Sequence, residues 1–285
     1  MNLPNACPIC SSNEVKFETL VSPGKIPQIS KPGQLLGLMI CSACGHALRS
    51  DGRDLTTNLA IQQNSFNQNV LMPNIRDTRW PHRAALIASE IKRLTQRTGK
   101  ALDIGCNTGI WLATLGAAWD KYGVELSSLA AETGRRFSQA EIFCGPIESY
   151  HAAPDSFDLV TAFAVIEHLS DPHLMVAWAY EHLAPGGLLV LMTGDRESLV
   201  AQQMGADWPL YWSHDHISFF SARSLCRLLE NQGFQVIRQE WRFMYTATGL
   251  GSPISKIIMK LKEIFRNDIT SPNNDHYYCY ARKPV

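Results

Sequence analysis

Residues Lys100 to Gly116 read "KALDIGCNTGIWLATLG", and this stretch constrains the chain more than any other. An apolar strand, Ala101 to Ile104, breaks at Gly105 and passes through Cys106, Asn107 and Thr108. A helix then opens at Gly109, with Trp111, Leu112 and Leu115 on one face. The two glycines let backbone approach a ligand, and the start of a helix offers amide N–H groups. Twenty residues after Gly105, "KYGVELS" ends a second strand in Glu125, a carboxylate placed to accept from both ribose hydroxyls of a bound nucleoside. A third strand and turn follow in "AEIFCGPIES", and a fourth strand with a Pro172-started helix in "FDLVTAFAVIEHLSDP". "HLAPGGLLVLMT" ends a helix at a Pro-Gly-Gly turn and enters a fifth strand, and "DHYYCYARK" closes the series as a seventh. Strands alternating with helices in this way predict an α/β chain with a doubly wound parallel sheet.

The front of the chain follows another rule. "CPIC" (Cys7, Cys10) and "CSACGH" (Cys41, Cys44) are two C-x-x-C pairs with 30 residues between them. Each pair can chelate from one tight turn, and four thiolates complete a tetrahedral zinc shell with no open position. The expectation is a structural zinc ribbon, residues 1–50, folded by its metal because the loops between the pairs carry no core. Gly45 suits the turn after the second pair, and His46 is a substitute ligand the complete shell does not need. A redox reading of the pairs lacks the strand–helix context such motifs have. Residues 51–79, rich in Asn and Gln, read as a linker, and 80–285 as the main domain.

Apolar residues make up 45% of the 285 and charged residues 18%, which suits a well-filled globular core. Lys+Arg and Asp+Glu are both 26, which disfavours a large nucleic-acid footprint. No signal peptide pattern opens the chain, and runs such as "LLVLM" are too short to span a bilayer, so a cytoplasmic location is expected. In that compartment eight cysteines point to metal ligands or buried thiols.

Taken together, "LDIGCNTG", "GVELS", "FDLVTAFAVIEHLSDP" and "LAPGGLLVL" resemble the ordered motifs of class I S-adenosylmethionine-dependent methyltransferases. The resemblance covers about Trp80 to Phe243 and implies a Rossmann-like seven-stranded sheet and a methyl-donor cofactor. The turn is D-x-G-x-x-x-G, whereas dinucleotide dehydrogenases, the competing users of such a sheet, carry G-x-G-x-x-G. By resemblance, Asp103, Gly105, Cys106, Asn107 and Gly109 surround the amino-acid end of S-adenosylmethionine. Glu125 holds the ribose, Leu126 packs on the adenine, and Pro146 and Ile147 lie at the adenine edge. Ala162 and Phe163 line the floor near the reacting methyl. Asn107 stands where the family often has glycine, and no acidic residue marks the adenine edge. Arg83 either reaches the donor carboxylate or is a solvated helix charge.

"YWSHDHISFFS", Tyr211 to Ser221, falls between the fifth strand and the next helix, and is expected to wall the acceptor side of the active site. An alcohol or carbon acceptor must lose a proton, a task suited to histidine beside a carboxylate. The neighbourhood resembles the zinc-ribbon sugar-nucleotide C-methyltransferases and their relatives, which implies Asp215, His216 and His168 as catalytic residues. Ser213 replaces their aromatic residue, and their C-terminal lobe has no counterpart here. His214 and His216 lack a third close ligand for a metal. Trp208, Tyr211 and Trp212 offer faces for a sugar or, equally, core packing. The expected acceptor is a saccharide or small metabolite, free or carrier-bound. A zinc-ribbon rRNA methyltransferase and a non-catalytic donor-binding module are the rival readings. An amphipathic helix carrying Ile254, Ile257, Ile258, Leu261 and Ile264 is read as a cover for the sheet or cleft, with weak peripheral membrane contact the lesser reading.

Overall fold

The computed structural model describes residues 5–24, 31–50, 80–95, 98–242 and 274–285. The expected linker at 51–79 and the amphipathic helix around Ile254 to Ile264 lie outside the described residues. The cysteine-bearing front end forms β1 (Val15–Val21), β2 (Leu35–Cys41) and β3 (Ala47–Arg49). After helix α1 (Trp80–Thr95) the alternation runs as read: β4 (Lys100–Ile104), α2 (Ile110–Thr114), β5 (Asp120–Glu125), α3 (Ser128–Ser138), β6 (Glu141–Cys144), β7 (Phe157–Phe163), α4 (Pro172–His182) and β8 (Leu183–Gly194). Then come α5 (Leu199–Met204), the two-residue β9 (Ser218–Phe219), α6 (Ala222–Asn231), β10 (Gln235–Arg242) and β11 (His276–Arg282).

Seven strands make one sheet in the order β10-β11-β8-β7-β4-β5-β6, and the doubly wound expectation holds. Parallel pairing sets Asp103 beside Gly123 and Thr161, Ile104 beside Val124 and Ala162, and Glu125 beside Cys144. Four strands therefore end level, and the turns after β4, β5, β6 and β7 share one edge. The strands read as near-continuous apolar runs because they are covered on both faces: Leu102, Leu159, Val160 and Leu188 to Leu191 are buried.

Contacts divide the chain into two compact units. One consists of the described parts of 54–191, 228–237 and 280–285. In it α3 starts on Ser127, whose side chain accepts from the Ala130 N–H, and ends at the left-handed Gln139. Its buried face is Ala130, Ala131, Gly134 and Ser138, small enough to bring the helix close to the turn after β4. A Cβ at Gly134 would stand 3.0 Å from the Asn107 carbonyl oxygen. Helix α4 starts at Pro172 as read, with Asp171 accepting from the His173 N–H.

The other unit joins the described parts of 1–53, 192–227 and 238–279. Residues 1–50, expected as a module of their own, share this unit with segments more than 140 residues later. Its sheet has four strands, β1-β2-β3-β9, and the fourth comes from the "SFF" run: Ala47 pairs with Phe219 and Leu48 with Ser218. Nor does the ribbon lack a core. Leu36, Leu38, Ile40 and Ala47 pack with Ala201, Trp208, Leu210, Tyr211, Trp212 and Phe219 in one apolar cluster. That settles the tryptophans as packing residues: Trp208 and Trp212 are 1% and 2% exposed. Their indole N–H groups donate to Asp275 Oδ2 (3.3 Å) and the Ala206 carbonyl (2.7 Å).

Candidate active site and metal centre

The turn after β4 is held from beneath by one carboxylate. Glu125 Oε2 accepts the Asn107 N–H at 2.9 Å and Oε1 the Ser127 N–H at 2.8 Å. It thus ties the glycine-rich turn to the first residues after its own strand, and a carboxylate that accepts two N–H groups keeps lone pairs for further donors. The Gly105 and Cys106 amides both donate to the Val124 carbonyl. Gly105 and Asn107 take φ of 69° and 48°, so Asn107 occupies the left-handed conformation for which it stands in place of glycine. Burial pushes the Glu125 carboxyl up, and the N–H groups of Ser127 and Asn107 oppose the shift.

Beside it, Asp103 is fully enclosed. Burial drives its carboxyl up to about 8, the Thr161 hydroxyl pulls back, and the charge of Glu125 adds to the rise. Thr161 Oγ1 donates to Asp103 Oδ1 at 2.6 Å and accepts the Trp111 indole N–H at 3.0 Å. Trp111 in turn stands edge-on to Phe163 with centroids 5.2 Å apart. Thr161 and Gly134 were missed in the sequence. The signal for Thr161 was a lone hydroxyl in the apolar run "FDLVTAF", a residue that needs a partner once buried.

The remaining predicted donor residues lie along the same sheet edge. Leu126 is half-buried, Pro146 is exposed, and Ile147 is buried at the start of a short helical turn. Ala162 is buried and Phe163 partly so; Cys106 is buried, and burial pushes its thiol up. Arg83 is 3% exposed, which removes its reading as a solvated helix charge. His168, buried, sits in the turn Ile166–His168 directly after β7.

In the other unit the four predicted thiols converge. Cys7 Sγ is 3.6 Å from Cys44 Sγ, Cys10 Sγ is 3.6 Å from Cys41 Sγ, and all four sulfurs lie within 4.8 Å of one another. A tetrahedron with metal–sulfur bonds of about 2.3 Å has edges of about 3.8 Å, so the cluster fits one zinc ion and closes its shell. The Cys44 thiol, with the N–H groups of Cys10 and Ile9, holds the Cys7 thiol down at about 5, and burial pushes Cys10 up. His46 is no ligand here: its Nε2 lies 3.1 Å from Ser218 Oγ, and its ring packs on Phe220.

The His-Asp-His stretch belongs to this same unit. His216 is 8% exposed, and its Nδ1 faces the Leu210 carbonyl at 3.1 Å. A carbonyl only accepts, so Nδ1 carries a proton directed at Leu210. Asp215 is half-buried and accepts the Ser213 hydroxyl, while His214 is exposed. The Ser213 hydroxyl thus holds the carboxylate two residues on.

A family model described as a methyltransferase domain matches residues 79–239, more than half of the chain. Ubiquinone biosynthesis O-methyltransferase of Psychrobacter arcticus is 32% identical over 152 residues, covering 47% of this chain and 58% of that protein. The protein of the same name from Thiobacillus denitrificans is 30% identical over 149 residues, covering 48% and 64%. The chain thus spans about three fifths of the length of these curated relatives. Among solved structures, a SAM-dependent methyltransferase from Thermotoga maritima aligns with a TM-score of 0.55 at 20% identity, covering 79% of this chain and 98% of that one. N-methyltransferase NodS from Bradyrhizobium japonicum, in complex with S-adenosyl-L-homocysteine, aligns at 0.52 and 14%, covering 78% and 98%. These structural likenesses show the fold. With the family match over the strand-and-turn series, they lead to one assignment: the chain belongs to the methyltransferase-domain family, the class I S-adenosylmethionine-dependent methyltransferases.

Proposed function

We propose that this enzyme transfers a methyl group from S-adenosylmethionine to a hydroxyl of a small metabolite. The observation that carries the reading is the fixed tautomer of His216, whose Nδ1 proton is committed to Leu210. A hydroxyl must lose its proton as it attacks, and Nε2 of a neutral imidazole is the side-chain atom suited to take it near neutral pH. The relatives' printed name, an O-methyltransferase, supports the same class of acceptor. A saccharide acceptor is the narrower proposal, from the resemblance of "HDHISFF" and the cysteine ribbon to sugar-nucleotide enzymes. A hydroxyl of a ubiquinone precursor is the acceptor that the relatives' name suggests.

S-adenosylmethionine, when bound, supplies an electrophilic methyl carbon on a sulfonium, so the protein's own task is alignment and proton removal. In this reading Asp103 and the Gly105 to Gly109 turn, with Cys106 and Asn107, take the donor's amino-acid end. Glu125 accepts from the ribose through its remaining lone pairs, and Leu126, Pro146 and Ile147 flank the adenine. Ala162 and Phe163 form the floor, Asp215 supports the acceptor loop, and His168 is the second candidate for proton transfer. Zinc held by Cys7, Cys10, Cys41 and Cys44 is structural, because four thiolates leave no position for a substrate. The equal counts of acidic and basic residues disfavour the rRNA alternative.

Zinc-loaded protein offered labelled donor with sugar nucleotides and with catechol-type phenols is the test. Transfer to a hydroxyl of one class, reduced about a hundredfold or more in His216→Gln, is the expected result. Donor turnover that His216→Gln leaves at the wild-type level removes the proton-transfer role. Methylation of rRNA alone replaces the small-metabolite reading.

A further inference from the structure

The structure assigns Arg49 a positioning role: this ribbon residue fixes the loop that carries His216. Arg49 ends β3, eight positions from Cys41 and five from Cys44, and is half-buried. One nitrogen of its guanidinium, Nη1, donates to two main-chain carbonyls, Ser213 at 2.9 Å and His216 at 3.0 Å. Its own amide donates to the Ile217 carbonyl at 2.9 Å. Next in the strand, Leu48 and Ala47 pair with Ser218 and Phe219. Ser213, His216, Ile217, Ser218 and Phe219 are thus each met by a guanidinium bond, a backbone bond or a strand pairing from three consecutive residues of the ribbon.

The grip works in the other direction as well. Three consecutive carbonyls of the second cysteine turn are held by side chains of the 196–223 segment. Arg223 donates to Ala43 at 3.1 Å, the Ser221 hydroxyl to Cys44 at 2.7 Å, and Arg196 to Gly45 at 2.8 Å. Ser218 Oγ meets His46 at 3.1 Å. Four thiolates on one ion fix that turn, the turn fixes the segment, and Arg49 fixes the bend within it. A guanidinium suits the post because it stays charged and presents several N–H groups in one plane; a lysine ammonium satisfies the same two carbonyls only as a point charge. Arg49 touches backbone and no reacting atom, so its effect on chemistry runs through His216 and rests on the role proposed for that residue.

The experiment compares wild type, Arg49→Lys and Arg49→Gln, all zinc-loaded and donor-free, by hydrogen exchange across 209–221. The β1–β2 hairpin and β4 serve as internal references, and zinc content is measured on each sample. Metal retained, references unchanged and exchange at 213–217 faster by about ten- to hundredfold, more in Gln than in Lys, is the expected result. In turnover, kcat falls in the same order while KM for the donor stays fixed. Retained metal with unchanged exchange at 213–217 overturns the inference. Should both variants lose zinc, chelation of the wild type decides: protection at 213–217 that survives release of the metal overturns it, and protection lost while β4 stays protected upholds it. Faster exchange together with full activity in His216→Gln leaves the coupling standing and removes the catalytic role of His216.

Discussion

Ser11 and Gly45 occupy the same place in the two cysteine turns. Each follows the second cysteine of its pair, each is left-handed, with φ of 58° and 77°, and each donates its N–H at 2.9 Å to the carbonyl of the first cysteine, Cys7 or Cys41. The residue types differ because the surroundings do: a Cβ at Gly45 would stand 2.4 Å from Glu197 Oε1, a carboxylate already held by Arg223. Gly45→Ala therefore costs more than the roughly 1–2 kcal/mol of left-handed strain, since it also displaces that ion pair. Ser11→Gly relieves strain and leaves metal retention intact. Thermal melts and chelator competition on both variants check the contrast.

The metal centre predicts a stoichiometry and a spectrum. Purified chain binds one zinc, and cobalt in its place shows thiolate charge-transfer bands. With about 10–16 kcal/mol shared among four ligands, Cys10→Ser weakens metal binding by about two orders of magnitude or more. A variant that binds cobalt with unchanged bands would remove Cys10 from the ligand set.

Thr161 and Asp103 give a pair of stability predictions. Thr161→Val deprives both the buried Asp103 carboxyl and the Trp111 indole of a partner, and costs about 1–3 kcal/mol, whereas Thr161→Ser keeps both bonds. Asp103 rises from 3.8 to about 8 on folding, so the folded chain keeps a proton that the unfolded chain releases. Its contribution to stability is full below the unfolded value and is lost as pH climbs through about 8. Glu125, also raised, adds a slope of the same sign. Asp103→Asn accordingly flattens the fall in urea midpoint between about pH 5 and 8 without abolishing it. An unchanged slope in that variant contradicts the assignment.

Glu125→Gln turns one acceptor of an N–H into a donor facing it, at either Asn107 or Ser127. The glycine-rich turn loosens and a ribose acceptor is lost. Calorimetry with S-adenosylmethionine and S-adenosylhomocysteine should show affinity lower by about ten- to hundredfold for both ligands. Full affinity would detach Glu125 from the donor site.

The sheet was legible because its signals are local. Asp103, Gly105, Asn107 and Gly109 stand together in one strand-and-turn, and Glu125 ends the very next strand. The cysteines declared themselves through a spacing that metal chemistry fixes. What stayed hidden depends on residues far apart in the chain. As sequence, "SFF" fits a wall of the acceptor site, and nothing in it says that Ser218 and Phe219 pair with Leu48 and Ala47. Trp208 and Trp212 fit a sugar platform or a core equally well until Leu36, Leu38 and Ile40 are found against them. Arg49 looked like one charge among 26, because a side chain that binds main-chain carbonyls leaves no pattern in its partners' identities.

The pairing of Ala47 with Phe219 also orders events at the ribosome. All four cysteines, Cys7 to Cys44, precede Phe219 by 175 residues or more, so the ion can be captured before that strand is made. The strand that completes their sheet arrives 172 residues after Ala47, a wait of roughly 10–35 s at ordinary elongation rates. Throughout that interval Ala47 to Arg49 present unpaired peptide groups, a template for a stray strand from another nascent chain. Early metal capture followed by late strand delivery makes this protein's yield sensitive to whatever guards that edge during translation.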